Sequence, residues 1–92
     1  MDIQHEVGDK KGAFFIQQGG QRLAEMVYNK VGTKQLIIEH TEVSAVLKGK
    51  GVGKALLEAG VHMARQERKR IIPLCPFAKL IFEKYPALRD VL

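Results

Sequence analysis

Lys48-Gly49-Lys50-Gly51-Val52-Gly53-Lys54 is the stretch best suited to chemistry. Lysine and glycine fill six of its seven positions. An apolar run, Leu36-Ile37-Ile38, lies upstream, and Ala55-Leu56-Leu57-Glu58-Ala59 opens a helical pattern downstream. A glycine-rich loop entering a helix leaves backbone N–H groups unpaired at the positive end of the helix dipole, where phosphate binds. Glycine lets the backbone approach a ligand and take positive φ. The bland reading is a glycine-rich turn with solvated lysines. Two reactive side chains flank the loop. His40 sits near the end of a strand, and a side chain with pKa about 6.5 suits a general base. It could equally pack and hydrogen-bond at a sheet edge. Cys75 immediately precedes Pro76, the expected first residue of a helix, and a helix N-terminus favours the thiolate. Such a thiol could carry an acyl group as nucleophile or protonate a leaving group. The alternative is a buried, inert cysteine.

Two familiar phosphate loops are excluded. Walker A needs glycine five positions before the Gly-Lys pair and Ser or Thr after it. Here those positions are Lys48 and Ala55. The dinucleotide fingerprint Gly-x-Gly-x-x-Gly fails because Lys54 stands where its third glycine belongs. The acidic residue expected about 20 positions on is replaced by basic Arg68-Lys69-Arg70.

The elements that must position these residues follow from periodicity and turn residues. Residues 3 to 8 read as a first strand, Asp9 to Gly12 as a turn, and 13 to 17 as a second strand. Gly19-Gly20 predicts a tight hairpin turn. In the third strand, residues 21 to 29, Leu23, Glu25, Val27 and Asn29 share one face, and Ala24, Met26 and Tyr28 the other. Asn29 to Lys34 reads as a loop pivoting on Gly32. The fourth strand covers 35 to 40, extending as far as 43. Its continuous apolar run predicts cover on both faces. A helix is predicted over 52 to about 69, with Val52, Ala55, Leu56, Ala59 and Met63 on its buried stripe. Gly60 weakens that helix slightly. Ile71 to Cys75 is a short fifth strand, irregular at Pro73, and a final helix spans about 77 to 85 before Pro86. The expected fold is α+β: a mostly antiparallel five-stranded sheet with a right-handed crossover helix and a C-terminal helix.

Ninety-two residues predict one small domain over 1–92 with a modest core. No apolar run reaches the ~18 residues of a membrane span. The N-terminal residues lack the basic-then-apolar order of a signal peptide, so a cytoplasmic protein is expected. A lone cysteine forms no internal disulfide, which suits a reducing compartment. His5, His40 and His62 are scattered and no Cys-x-x-Cys occurs, so no metal is expected. His5 and His62 read as ordinary. The net charge of +5 fits an anionic partner, either a phosphorylated ligand or nucleic acid, and equally ordinary solubility.

Lys48-x-x-Gly51-x-Gly53 resembles the Gln/Arg-x-x-Gly-x-Gly/Ala loop of the GNAT superfamily of N-acetyltransferases, with Lys in the first position. His40-Thr41-Glu42-Val43 before the loop and Pro73-Leu74-Cys75-Pro76-Phe77 after the helix resemble a subgroup of very short GNAT-like proteins. The three motifs stand in order and span about residues 3 to 90. The resemblance implies a GNAT-like fold, reduced by loss of the helices after the first strand and of a long C-terminal strand pair. It implies acetyl-CoA as co-substrate and an amine acceptor of unknown identity. Lys48, Gly49, Lys50, Gly51, Val52, Gly53 and Lys54 would hold the pyrophosphate. Backbone N–H groups near Val43, with Glu42 beside them, would hold the pantetheine or the acetyl carbonyl. The pantetheine would lie where the fourth and fifth strands splay. His40 and Cys75 are the implied catalytic pair, with Glu42 as a second candidate base and Tyr85 as a candidate acid. The rivals are a non-catalytic CoA- or acyl-CoA-binding module and a small basic nucleic-acid-binding domain. The latter is disfavoured because aromatics are few and do not interleave with the basic residues. Nothing in the sequence selects an oligomeric state.

Overall fold

The computed structural model describes residues 2–92. Strands β1 (Gln4–Val7), β2 (Lys11–Gln18), β3 (Gln21–Val31) and β4 (Gln35–Val43) form an antiparallel meander. Helix α1 (Val52–Glu67) crosses over to β5 (Arg70–Pro73), which joins β4 in parallel. The sheet order is therefore the chain order. Helix α2 (Pro76–Lys84) and a final 3₁₀ segment, Pro86–Val91, complete the fold. No helix among the described residues is long and apolar enough to cross a membrane.

Gly19 and Gly20 both take positive φ, +56° and +78°, as a two-residue hairpin turn requires. The predicted alternation of β3 is observed: Ala24, Met26 and Tyr28 are buried in one cluster with Leu56, Leu57 and Val61 of α1. Fully burying each such aliphatic side chain stabilises the fold by about 1.5–3 kcal/mol. α2 joins the same cluster through Ala78, Ile81 and Phe82. The helices thus gather on one face of the sheet. The other face is lined by its own side chains, with the Arg22 guanidinium 3.9 Å above the Phe15 ring.

Four expectations need correction. β3 continues to Val31, so the connection to β4 is only a short turn at Gly32. Leu36 and Ile38 are buried, but Ile37 points to the face that carries no helix and is half-buried. The buried stripe of α1 is rotated toward Gly53, Leu57, Gly60, Val61 and Ala64, leaving Ala55, Ala59 and Met63 at its margin. Gly60 explains the rotation, since a Cβ there would lie 2.9 Å from Met26 Cε, so its absence lets α1 sit close to the sheet. Finally, α1 ends at Glu67 rather than 69. Arg68 adopts φ +55°, and Lys69 donates to the Ala64 carbonyl at 2.8 Å, closing the helix in a Schellman motif.

β4 carries one irregularity. Val27 pairs with His40 but Tyr28 pairs with Ile38, so Glu39 has no partner and forms a β-bulge. Leu36 and Ile38 face the helices before the bulge. After it, Thr41 and Val43 do, opposite Met26 and Ala24.

His5, read as ordinary, is a structural side chain of β1. Its ring stacks on Phe14 at 4.0 Å, and Nε2 lies 2.7 Å from the Tyr28 hydroxyl. Desolvation against these rings pushes its pKa below the usual value, outweighing the Glu67 carboxylate, which pulls it up. A histidine whose folded pKa is depressed contributes stability fully above its unfolded pKa of about 6.5, and that contribution is lost as pH falls through the folded value. The thermal midpoint of the protein should therefore fall more between pH 7.5 and 5 than that of His5→Gln. Parallel midpoints over this range would show that β1 is not held by neutral His5.

Candidate active site

The bulge and the end of β5 together open the sheet. β5 pairs with β4 only as far as Pro73 opposite Ile38. The N–H groups of Leu74 and Cys75 both donate to the Ile38 carbonyl, each at 3.1 Å. The chain then turns into α2 at Pro76. β4 runs on through Glu39–Val43 with β3 on one side and no strand on the other.

A groove of about 460 Å³ lies on the helix side of this open edge. Thr41 and Val43 form its floor. Phe77, Ile81 and Tyr85, spaced four apart on α2, form one wall. The glycine loop forms the other, with Leu47 tucked beneath it by a short 3₁₀ turn, Ala45–Leu47. Gly49 and Gly51 take φ of +77° and +71°, which only glycine adopts without strain. Gly51 is the N-cap of α1 and supplies no side-chain acceptor, and the first turn carries no acidic residue. The leading amides of the helix therefore remain free for an anion. Gly53 lets the Phe77 ring rest against α1, because an added Cβ would meet that ring at 2.3 Å. Lys48, Lys50 and Lys54 form no ion pair among the described residues, and the Lys54 ammonium sits 4.1 Å above the Tyr85 ring.

The candidate catalytic residues divide between the two faces of β4. Cys75 is buried at 5% exposure, and its thiol donates to the Thr41 hydroxyl at 3.6 Å, on the groove side. His40 points to the opposite face, where Nε2 lies 3.5 Å from Glu42 and 3.8 Å from Glu25. His40 and Cys75 thus lie on opposite faces of β4, because neighbouring strand residues alternate and the bulge puts Thr41, the partner of Cys75, on the helix side. Glu42 accompanies His40 rather than the groove, and Val43 lines the groove. Tyr85 stands at the far end of α2 from Cys75, eight residues or about 12 Å along the helix from Phe77.

Glu25, His40 and Glu42 form a cluster that the sequence reading missed. Their donor atoms lie within 4.8 Å of one another, a set able to share a proton or to hold a divalent cation. Sequence spacing hides this, since Glu25 and Glu42 are 17 residues apart but directly opposite in the β3–β4 register. A polar cleft of about 430 Å³ lies beside Glu25 and Glu42 and includes Arg22 and Ser44. The α2 wall of the groove was also missed, although its i, i+4, i+8 spacing was available.

The profile of the GCN5-related N-acetyltransferase family matches residues 13–91. No curated protein sequence matches the chain. Among solved structures, a GCN5-like candidate N-acetyltransferase from Staphylococcus aureus aligns with TM-score 0.74 and 39% identity, covering 98% of this chain and 85% of the other. The ribosomal-protein-alanine N-acetyltransferase of Brucella melitensis aligns with TM-score 0.68 at 15% identity, covering 84% of this chain and 62% of the other. An aminoglycoside N-acetyltransferase in complex with CoA aligns with TM-score 0.65 at 14% identity, covering 99% and 93%. The last two likenesses concern the fold alone. The chain spans less than two thirds of the Brucella enzyme.

The bulge makes this site fragile to register. Deleting Glu39 would turn either Leu36 and Ile38 or Thr41 and Val43 away from the helices, whereas Glu39→Ala keeps the count of residues. Urea unfolding should show the deletion variant destabilised by about 2 kcal/mol or more and Glu39→Ala within about 0.5 kcal/mol of the parent. Equal stability of the two variants would mean that the extra residue is not what sets the faces.

Proposed function

This chain belongs to the GCN5-related N-acetyltransferase family, and on that premise we propose that it moves the acetyl group of acetyl-CoA to an amine. The observation that carries this reading is the groove. It joins a loop rich in free amides and lysines to an apolar channel that reaches the open edge of β4. A phosphorylated carrier with a long, uncharged arm fits that order of chemistry. The loop amides and Lys48, Lys50 and Lys54 would meet the pyrophosphate. The arm would lie between α2 and Thr41 and Val43, bringing the thioester to the splay beside Cys75.

In the reaction, the amine nitrogen attacks the thioester carbonyl, the C–S bond breaks, the nitrogen gives up a proton and CoA leaves as a thiol. His40, on the face that the groove leaves free, would take the proton of an incoming amine. The Glu25 and Glu42 carboxylates lie 3.8 and 3.5 Å from its Nε2, within reach of a proton held there. Cys75, buried behind the groove and linked to it through the Thr41 hydroxyl, would return a proton to the departing sulfur. Direct transfer is favoured over an acetyl-cysteine intermediate, because the Cys75 partner is the Thr41 hydroxyl and not a base.

The basic run at the end of α1 does not favour nucleic acid, since it is largely used within the fold. Arg65 is paired with Asp90 at 2.7 Å, Lys69 with Glu67 at 2.9 Å, and Arg70 donates to the Leu92 carbonyl at 2.8 Å.

Calorimetric titration with acetyl-CoA is the direct test. The parent protein should bind saturably, and Gly51→Val should not. Valine is strained at φ +71°, while an added Cβ there meets nothing within 4 Å, so the rest of the fold is retained. Absence of binding at millimolar acetyl-CoA would overturn the reading.

With an accepted amine in hand, His40→Ala should lower kcat about 100-fold at neutral pH and recover part of the rate in alkali, where the amine deprotonates unaided. Cys75→Ala should lower kcat while leaving acetyl-CoA affinity within about twofold. Full activity in both variants would remove these catalytic roles even if the cofactor binds.

A further inference from the structure

One feature of the groove takes no part in the transfer chemistry, the exposed ring of Tyr85 beneath Lys54. Tyr85 caps the C-terminus of α2 and is 38% exposed, and its hydroxyl makes no hydrogen bond among the described residues. Lys54 belongs to the first turn of α1. Their contact at 4.1 Å therefore bridges the two walls of the groove at its outer end. Such a contact is worth only about 0.5–1 kcal/mol at an exposed site, so it yields readily to a stronger partner for Lys54.

The groove has a direction. Phe77, next to Cys75 and packed on Gly53, marks the end where β4 and β5 part. Tyr85 marks the opposite end, about 12 Å further along α2. The loop amides flank the space between the two walls. A ligand whose thioester reaches the splay and whose pyrophosphate sits on the loop must send its remaining part, the adenosine, outward past Lys54. The first flat apolar surface it meets there is the Tyr85 ring.

We propose that Tyr85 is the stacking platform for the adenine of the cofactor, and that Lys54 covers this ring until the cofactor's phosphates draw its ammonium away. The proposal rests on the reading that the groove binds acetyl-CoA, and it specifies which part of the cofactor confers affinity. It makes Tyr85 a binding and positioning residue rather than an acid in the chemical step, for which its distance from Cys75 is unsuitable. Stacking on an aromatic ring is a known source of affinity for a base and needs no hydrogen-bond partner. Lys54 meanwhile exchanges a weak cation–π contact for a charge-assisted contact with phosphate.

The test compares two ligands on three proteins. Acetyl-CoA and acetyl-4′-phosphopantetheine, which lacks adenosine, are titrated into the parent protein, Tyr85→Phe and Tyr85→Leu. Acetyl-CoA should bind the parent and Tyr85→Phe alike, and bind Tyr85→Leu roughly tenfold more weakly. The affinity of acetyl-4′-phosphopantetheine should be the same for all three, because it never reaches the ring. Fluorescence supplies an independent reading. The chain has no Trp and two Tyr, and Tyr28 is 1% exposed, so the emission change on adding acetyl-CoA should come from Tyr85 and be absent in both variants. Equal loss of both ligands in Tyr85→Leu would show a general packing role and overturn the stacking assignment. Unchanged acetyl-CoA affinity in Tyr85→Leu would also overturn it while leaving the CoA reading intact. Failure of both ligands to bind the parent would overturn the CoA reading and this inference with it.

Discussion

The single unpaired residue in β4 sets what the rest of the structure can do. A strand alternates faces with a period of two, so residues 36, 38, 40 and 42 would share one face in a regular ladder. That arrangement would drive His40 and Glu42 into the apolar layer beneath the helices, where an unpaired charge costs several kcal/mol. The bulge at Glu39 shifts the alternation by one. Leu36 and Ile38 then bury with Thr41 and Val43 following on the same side, and His40 and Glu42 turn to the open face. The same irregularity coincides with the end of pairing to β5. One strand therefore serves as core floor along its first half and as a two-sided partition along its second.

The crossover helix is fitted to that partition through glycine. Gly60 and Gly53 lie seven residues apart on α1, hence on nearly the same side, and each admits a neighbour that any side chain would displace. Gly60 brings the helix down on Met26, and Gly53 accepts the Phe77 ring. The start of α1 follows the same economy. Capping by Ser or Asp would satisfy one of its leading amides, but a glycine cap is only a few tenths of a kcal/mol poorer and leaves those donors free. Stability is conceded at the helix start by a small amount, and the leading amides are left free for an anion.

Much of this was legible in the sequence. The β3 alternation, the Gly19-Gly20 hairpin and the loop-to-helix junction each follow from local backbone rules, and all three are observed. The family followed from three ordered motifs and is supported by the family profile. What was not legible depends on a register or on a contact between distant segments. The Glu25–Glu42 pairing is set by the bulge, and strand propensity does not encode which residue is skipped. A partial signal existed: apolar Leu36 and Ile38 are separated from Val43 by an odd number of positions, which no regular strand can place on one face. The stripe of α1 was misjudged because glycine scores as a weak helix former, whereas Gly53 and Gly60 both lie in the buried stripe, where an added Cβ would meet Phe77 or Met26. The pairing of His40 with Cys75 came from resemblance, and their placement on opposite faces could not be read from linear spacing.

That separation suits the chemistry proposed for the site. Two reactants must reach one carbonyl carbon, and the proton given up by the amine appears on a different side from the sulfur that needs one. A base and an acid on opposite faces can each act on its own substrate without competing for one proton. Side chains on adjacent positions of one strand, His40 and Thr41, are held apart by the sheet itself yet remain close along the backbone. Thr41 orients Cys75 on the groove side, and the carboxylates of Glu25 and Glu42 surround His40 on the other. In the proposed reaction, the strand that keeps donor and acceptor apart would also be the element that aligns them.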